Sequence, residues 1–291
     1  MTAVPLVETK PRSKRRPQKI ALETVLFVVA IVLAIIWLIP FLFMIFTALK
    51  SNAELFSGKA YAPPIVYVWE NFTRAWEIGK FQIYGVNSLL IAFVKVPLGI
   101  FLASMTAFAF SRLRFPYQRV LLLLVVMGTM IPVQVALGPV FHIILDLGLL
   151  NTYGGLLLVY IAFGFPYQVY LMYGFFRAIP FELDEAAMID GCSRFGLYWR
   201  IILPLSLPIL ATLFILDFVG TWNEFSIALV ILQDSRMWTI PLGLMGFSGY
   251  YSMDYPGLNA GIIITILPVV VVYIIFQRYF IAGLTAGAVK G

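Results

Sequence analysis

The stretch Phe181–Pro208 reads FELDEAAMIDGCSRFGLYWRIILPLSLP. Four carboxylates, Glu182, Asp184, Glu185 and Asp190, arrive within nine residues, and then come Gly191, a basic and aromatic run, Pro204 and Pro208. Pro180 suits the start of a helix, and acidic residues in a first turn favour the positive end of the helix dipole. Leu183, Ala186, Ala187 and Asp190 fall at helical spacing, with Glu182 and Glu185 one turn apart. Gly191 breaks or turns the chain. Ser193 is placed to cap a second helix through RFGLYWRIIL, which leads by Leu203 and Pro204 into an apolar run. The expected unit, 180–204, is a short helix, a turn and a second helix. Two readings compete for it. As a docking element, Ala186 and Ala187 let another surface come close while the carboxylates meet its Arg or Lys. As an amphipathic loop, it merely lies at a membrane interface.

The surroundings are far more apolar. The chain has 291 residues, 62% hydrophobic and 12% charged, against about a quarter charged in soluble domains. With its long apolar stretches this predicts an all-α polytopic integral membrane protein. The net charge of +6 is not a nucleic-acid signal, because Lys and Arg sit beside apolar runs, where they set topology. One cysteine, Cys192, excludes an intrachain disulfide. One histidine, His142, leaves no usual zinc, haem or iron–sulfur ligand set, so no metal or cofactor is expected in this chain. His142, near the outer end of its span, reads as an interfacial polar residue. Residues 1–19 read as a basic, disordered cytoplasmic arm. The apolar run behind them is too long for a cleavable signal and lacks its small-residue site.

About 20 apolar residues cross the hydrocarbon core. Six segments qualify: Leu22–Ala48, Tyr84–Phe110, Val120–Leu145, Gly154–Phe176, Leu203–Leu232 and Leu258–Gln277. Residues 20–282 thus form a six-helix transmembrane domain, with a tail at 283–291. Lys and Arg outside the spans number 6 in the arm, 3 after span two, 3 after span four and 2 in the tail, against 4, 0 and 1 after spans one, three and five. That excess puts both termini and the 180–204 unit in the cytoplasm. The loop Lys50–Phe81 then faces outward, with Trp69 and Trp76 at the interface. Pro97, Pro132, Pro139, Pro166 and Pro268 fall inside spans, either as tolerated kinks or as hinges of a moving bundle.

Ionisable groups inside a span are costly and face a bundle interior or water. Asp217, Thr221 and Glu224 lie at i, i+4 and i+7 of the fifth span and share one face. At the helical rise, Asp217 is about 21 Å from Leu203 and Lys95 about 24 Å from Ser111, so the two lie at similar depth and can pair. Such a pair either fixes helix packing or touches a solute. Asn223 and Glu224, nearer the outer surface, line a pathway or meet a partner. No GxxxxGK[ST] phosphate loop exists, since SGKAY at 57–61 lacks the earlier glycine and the hydroxyl. No Ser/His/Asp or Cys/His set falls in reach of one pocket, so the chain does not read as an enzyme.

EAAMIDG, nine further residues and IILP match EAA-x3-G-x9-I-x-LP at every fixed position: Glu185, Ala186, Ala187, Gly191, Ile201, Leu203 and Pro204. That long, spaced pattern resembles the permease subunits of bacterial ATP-binding-cassette (ABC) importers. Asn87–Phe115, Thr221–Phe225 (TWNEF) and the terminal GLTAGAVKG look like the carbohydrate branch, similar to the smaller maltose-type subunit. Cys192 departs from the alanine commoner in such loops. The resemblance implies that the 180–204 unit is a coupling helix seated in a cleft of a cytoplasmic ATPase. Glu185 would meet a basic group there, Ala186 and Ala187 would allow close packing, and Gly191 would make the turn. Gly287–Gly291 is a weaker contact candidate. The implied partners are a second permease subunit, two ATPase subunits that hold the ATP and magnesium, an extracellular solute-binding protein and a carbohydrate. The implied setting is the lipid of a bacterial plasma membrane. Two alternatives stand beside it: an ion-gradient-driven secondary transporter, for which no internal repeat is visible, and the same importer carrying a polyol or glycerol phosphate.

Overall fold

The computed structural model describes residues 17–58, 60–249 and 253–288. Of the expected arm, 1–16 lies outside them, and 17–19 already belongs to the first helix. Residues 283–288 of the expected tail continue the last helix, and 289–291 lie outside. The described residues are helical throughout, apart from connections and one isolated bridge between Ser248 and Met253. In chain order the helices are α1 (Pro17–Ala48), α2 (Asn52–Leu55), α3 (Glu70–Ile78), α4 (Phe81–Arg112), α5 (Gln118–Met127), α6 (Val133–Asp146), α7 (Tyr153–Ala178), α8 (Glu182–Ile189), α9 (Arg194–Leu205), α10 (Leu207–Trp222), α11 (Ser226–Ile231), α12 (Ile240–Gly243) and α13 (Tyr255–Ala288).

Four of these, α1, α4, α7 and α13, are each long and apolar enough to cross a membrane. The pairs α5–α6 and α9–α10 bring the number to six if each counts as one span, but they bend by 105° and 72°. The third and fifth predicted spans are therefore not single helices. At the first break the chain leaves α5 through a 3₁₀ turn, Gly128–Met130, and Ile131 and Pro132 are extended. Pro132 has no N–H to carry a helical ladder across. A Cβ on Gly128 would come to 2.8 Å from Pro166 Cγ, so the break is seated tightly on α7. At the second break the Ser206 hydroxyl donates to the Ile202 carbonyl at 2.7 Å, and Pro208 opens α10 in its first turn. Irregular backbone at membrane depth survives only where protein or water satisfies it, which these bonds begin to do.

The core lies between α4, α7 and α10. Ala92, Val96, Gly99, Ala103 and Ala107 recur every three or four residues on α4, and all are buried. Small side chains let α4 and α7 approach closely, the usual way helices associate without water to drive them together. Val169, Met172 and Phe176 of α7 and Leu213 and Phe218 of α10 fill the same cluster. At one end of the bundle the long loop before α4 is clasped. The Lys50 ammonium donates to the carbonyls of Ala60 and Ala62 at 2.8 and 2.6 Å, and Asn71 donates to those of Ala48 and Lys50 at 2.8 Å. Arg74 pairs with Asp254 at 2.9 Å across to the loop before α13.

Candidate functional site

At the opposite end lies the acidic helix-turn-helix. Helix α8 carries Glu182, Asp184 and Glu185 in its first turn. It ends in a Schellman turn: the Cys192 N–H reaches the Ala187 carbonyl at 2.9 Å and the Gly191 N–H reaches that of Met188 at 3.1 Å. Gly191 takes φ +77°, a left-handed conformation that costs glycine little. Ser193 then caps α9, its hydroxyl accepting from the Gly196 N–H at 3.1 Å. Turn and cap lie where the sequence places them.

The predicted docking residues divide. Glu185, Ala186 and Asp190 are exposed. Ala187 is 6% exposed and buried against its own chain, so it does not offer the open surface expected of both alanines. Leu203 instead lines an apolar cleft of about 430 Å³ with Pro97, Phe101 and Phe214, and Pro204 is exposed beside it. One residue that sequence spacing does not single out holds the unit in place. Arg112 closes α4 and forms an ion pair with Asp184 at 3.1 Å. It also donates to the Ile179 carbonyl at 2.9 Å and lies over the Phe181 ring at 4.2 Å. Burial pushes the Asp184 carboxyl above the ordinary aspartate range, Arg112 pulls it back, and the Glu185 charge adds to the rise.

The second polar group lies within the bundle. Lys95 of α4 pairs with Asp217 of α10, both nearly inaccessible, and the Tyr167 hydroxyl donates to the same carboxylate at 3.2 Å. The expected pair forms, although the 72° bend at Ser206 breaks the straight helix along which its depth is reckoned. They line a cavity of about 600 Å³ with Gln134, Tyr160, Phe163, Gly220, Thr221 and Glu224. Asp217 Oδ2 and Thr221 Oγ1 are buried with no hydrogen-bond partner among the described residues. Glu224 reaches this cavity from beyond the end of α10, not from its helical face. Its carboxylate caps α11, accepting from Ile227 N–H at 2.8 Å and Ala228 N–H at 3.1 Å, and also accepts from Tyr160 at 2.7 Å. Asn223 is exposed, its side chain bonded among the described residues to the Val219 carbonyl behind it, and it does not line the cavity.

An all-helical bundle with broken helices, a cavity lined by the buried Lys95–Asp217 pair and an acidic helix at one end fits a membrane permease. Residues 95–285 match the family described as binding-protein-dependent transport system inner membrane component, and the chain belongs to it. It is thus a permease component of an ABC transporter, a non-catalytic subunit, which sets aside the ion-driven alternative. A probable ABC transporter permease protein of Bacillus subtilis (strain 168), YurM, is 36% identical over 285 residues, covering 98% of this chain and 93% of that one. The arabinooligosaccharides transport system permease protein AraQ of Halalkalibacterium halodurans is 36% identical over 262 residues, covering 89% and 93%. The crystal structure of a bacterial ABC transporter involved in import of the acidic polysaccharide alginate contains a similar fold. Its TM-score is 0.76 at 23% identity, over 92% of this chain and 100% of that one.

Proposed function

We propose that this permease carries a carbohydrate into a bacterial cell, with both termini in the cytoplasm and α8 seated on an ATPase subunit. The single observation that carries the coupling role is α8 itself. It stands at the end where α4 and α7 finish, its Glu185 and Ala186 open to a partner, at the spacing of the EAA pattern. The excess of Lys and Arg in the arm and in the loops at that end supports the cytoplasmic side. A second permease, two ATPase subunits and a solute-binding protein complete the machine. ATP closes the ATPase pair, and docking makes that state favour one membrane conformation.

The carbohydrate reading draws on the relative named for arabinooligosaccharides and on the cavity. Tyr160, Phe163 and Tyr167 of α7 line one wall, and Gln134, Thr221 and Ser226 bring hydrogen-bonding side chains to the same cavity. Aromatic faces with hydroxyl-bonding groups suit a sugar. The test is to purify the assembled importer from its native membrane, identify the solute-binding protein in it, and titrate that protein by calorimetry. Saturable heat with an oligosaccharide supports the reading. Binding of a polyol or glycerol phosphate and no sugar overturns it.

A further inference from the structure

Both arms of the helix-turn-helix are fastened to one long helix. The Arg112 side chain, 1% exposed, holds Asp184, the Ile179 carbonyl and the Phe181 ring together at the end of α4. Tyr198 of α9 shares a 2.6 Å hydrogen bond with Ser104, two turns back along α4, and its ring meets Phe108 at 5.2 Å. Neighbouring carboxylates therefore do different work: Asp184 is bound inward, whereas Glu185 is exposed. A force on Glu185 moves α8 as a body. Burial leaves the guanidinium little room to move between the Asp184 carboxylate, the Ile179 carbonyl and the Phe181 ring, although only the Ile179 contact is a hydrogen bond. Helix α4 runs from 81 to 112 as one span, and Pro97, two residues from Lys95, lies inside it without a break. Displacement at its end reaches Lys95 about 26 Å along the axis, where α4 is tied to Asp217 on the cavity wall.

We propose that Arg112 is the positioning residue that makes α4 the lever between α8 and the Lys95–Asp217 pair. This rests on the reading that α8 meets an ATPase. The reporter is Gly220→Cys in a Cys192→Ser background. Gly220 lines the cavity, and a Cβ there meets nothing within 4 Å. The full importer, reconstituted in liposomes, is labelled with a charged maleimide in the nucleotide-free and the ADP–vanadate-trapped states. Label on this subunit is read from a gel. With Arg112 in place the two rates differ. Arg112→Ala is expected to shrink that ratio by about tenfold while ATP hydrolysis persists. Arg112→Lys, which keeps the charge but loses the planar fork, gives an intermediate ratio. The swap Arg112→Asp/Asp184→Arg restores part of it. An unchanged ratio in an Arg112→Ala complex that still holds its ATPase overturns the lever and leaves docking intact. A wild-type complex without an ATPase overturns docking instead. Where Arg112→Ala fails to assemble, Asp184→Asn removes the pair at nearly constant shape and is judged by the same ratio.

Discussion

Replacing Lys95 with Met should destabilise the bundle strongly, and the size of the loss follows from its partner. Asp217 is only 4% exposed along its side chain, and one of its oxygens already lacks a hydrogen bond among the described residues. Removing the ammonium leaves a buried carboxylate with the Tyr167 hydroxyl as its remaining donor. Breaking a buried pair from one side costs about 3–5 kcal/mol, and the Tyr167 bond places this case near about 3. At about 2 °C per kcal/mol for a chain of this size, the thermal midpoint should fall by about 6 °C. Lys95→Met/Asp217→Leu removes both charges and should recover most of the loss, because a well-packed apolar pair is often as stable as the ionic one. The assay is the thermal midpoint of the purified complex in detergent, followed by tryptophan fluorescence. A single variant as stable as the wild type, or a double variant as unstable as the single, refutes the reasoning.

Three further outcomes are expected. Glu224→Ala should cost about 1–2 kcal/mol by uncapping α11, and Tyr160→Phe about 1 by removing one donor from the same carboxylate; equal midpoints for both variants and wild type would show that this cap contributes nothing. Gly155→Ala should lower the midpoint by the equivalent of about 1–3 kcal/mol, since its Cβ would stand 2.4 Å from the Leu149 carbonyl oxygen; a midpoint at or above the wild type contradicts the packing of α7 on the loop before it. Glu185→Lys and Gly191→Pro should insert normally but cut uptake at least about tenfold, the second because proline cannot reach the left-handed φ of that turn. Uptake in membrane vesicles checks both, and normal rates would count against α8 as the coupling element.

Much of this architecture is legible in the sequence. Spans one, two, four and six are continuous apolar runs, and α1, α4, α7 and α13 fall on them. The breaks in spans three and five are not legible, because apolar composition carries straight across them. Pro132 and Pro208 mark the places, yet proline inside a membrane helix is as often a mild kink as a bend of this size. Helical periodicity groups Asp217, Thr221 and Glu224 at one cavity. It misplaces Glu224 on the face of α10, when the carboxylate lies just past the helix end and caps the next one. An acidic residue two positions before the apolar run Ser226–Ile231 was the available signal. The Arg112–Asp184 and Ser104–Tyr198 contacts span 72 and 94 residues of sequence. No local spacing encodes such pairs, so they emerge only when the helices are packed.

The coupling role rests on what touches α8. Ala186→Cys, in a Cys192→Ser background, places one thiol on its exposed face. In intact cells that thiol should resist a membrane-impermeant maleimide, and in the purified importer a short bismaleimide should join it to the ATPase subunit. Labelling from outside the cell, or an assembled complex in which position 186 never cross-links to an ATPase, would contradict it.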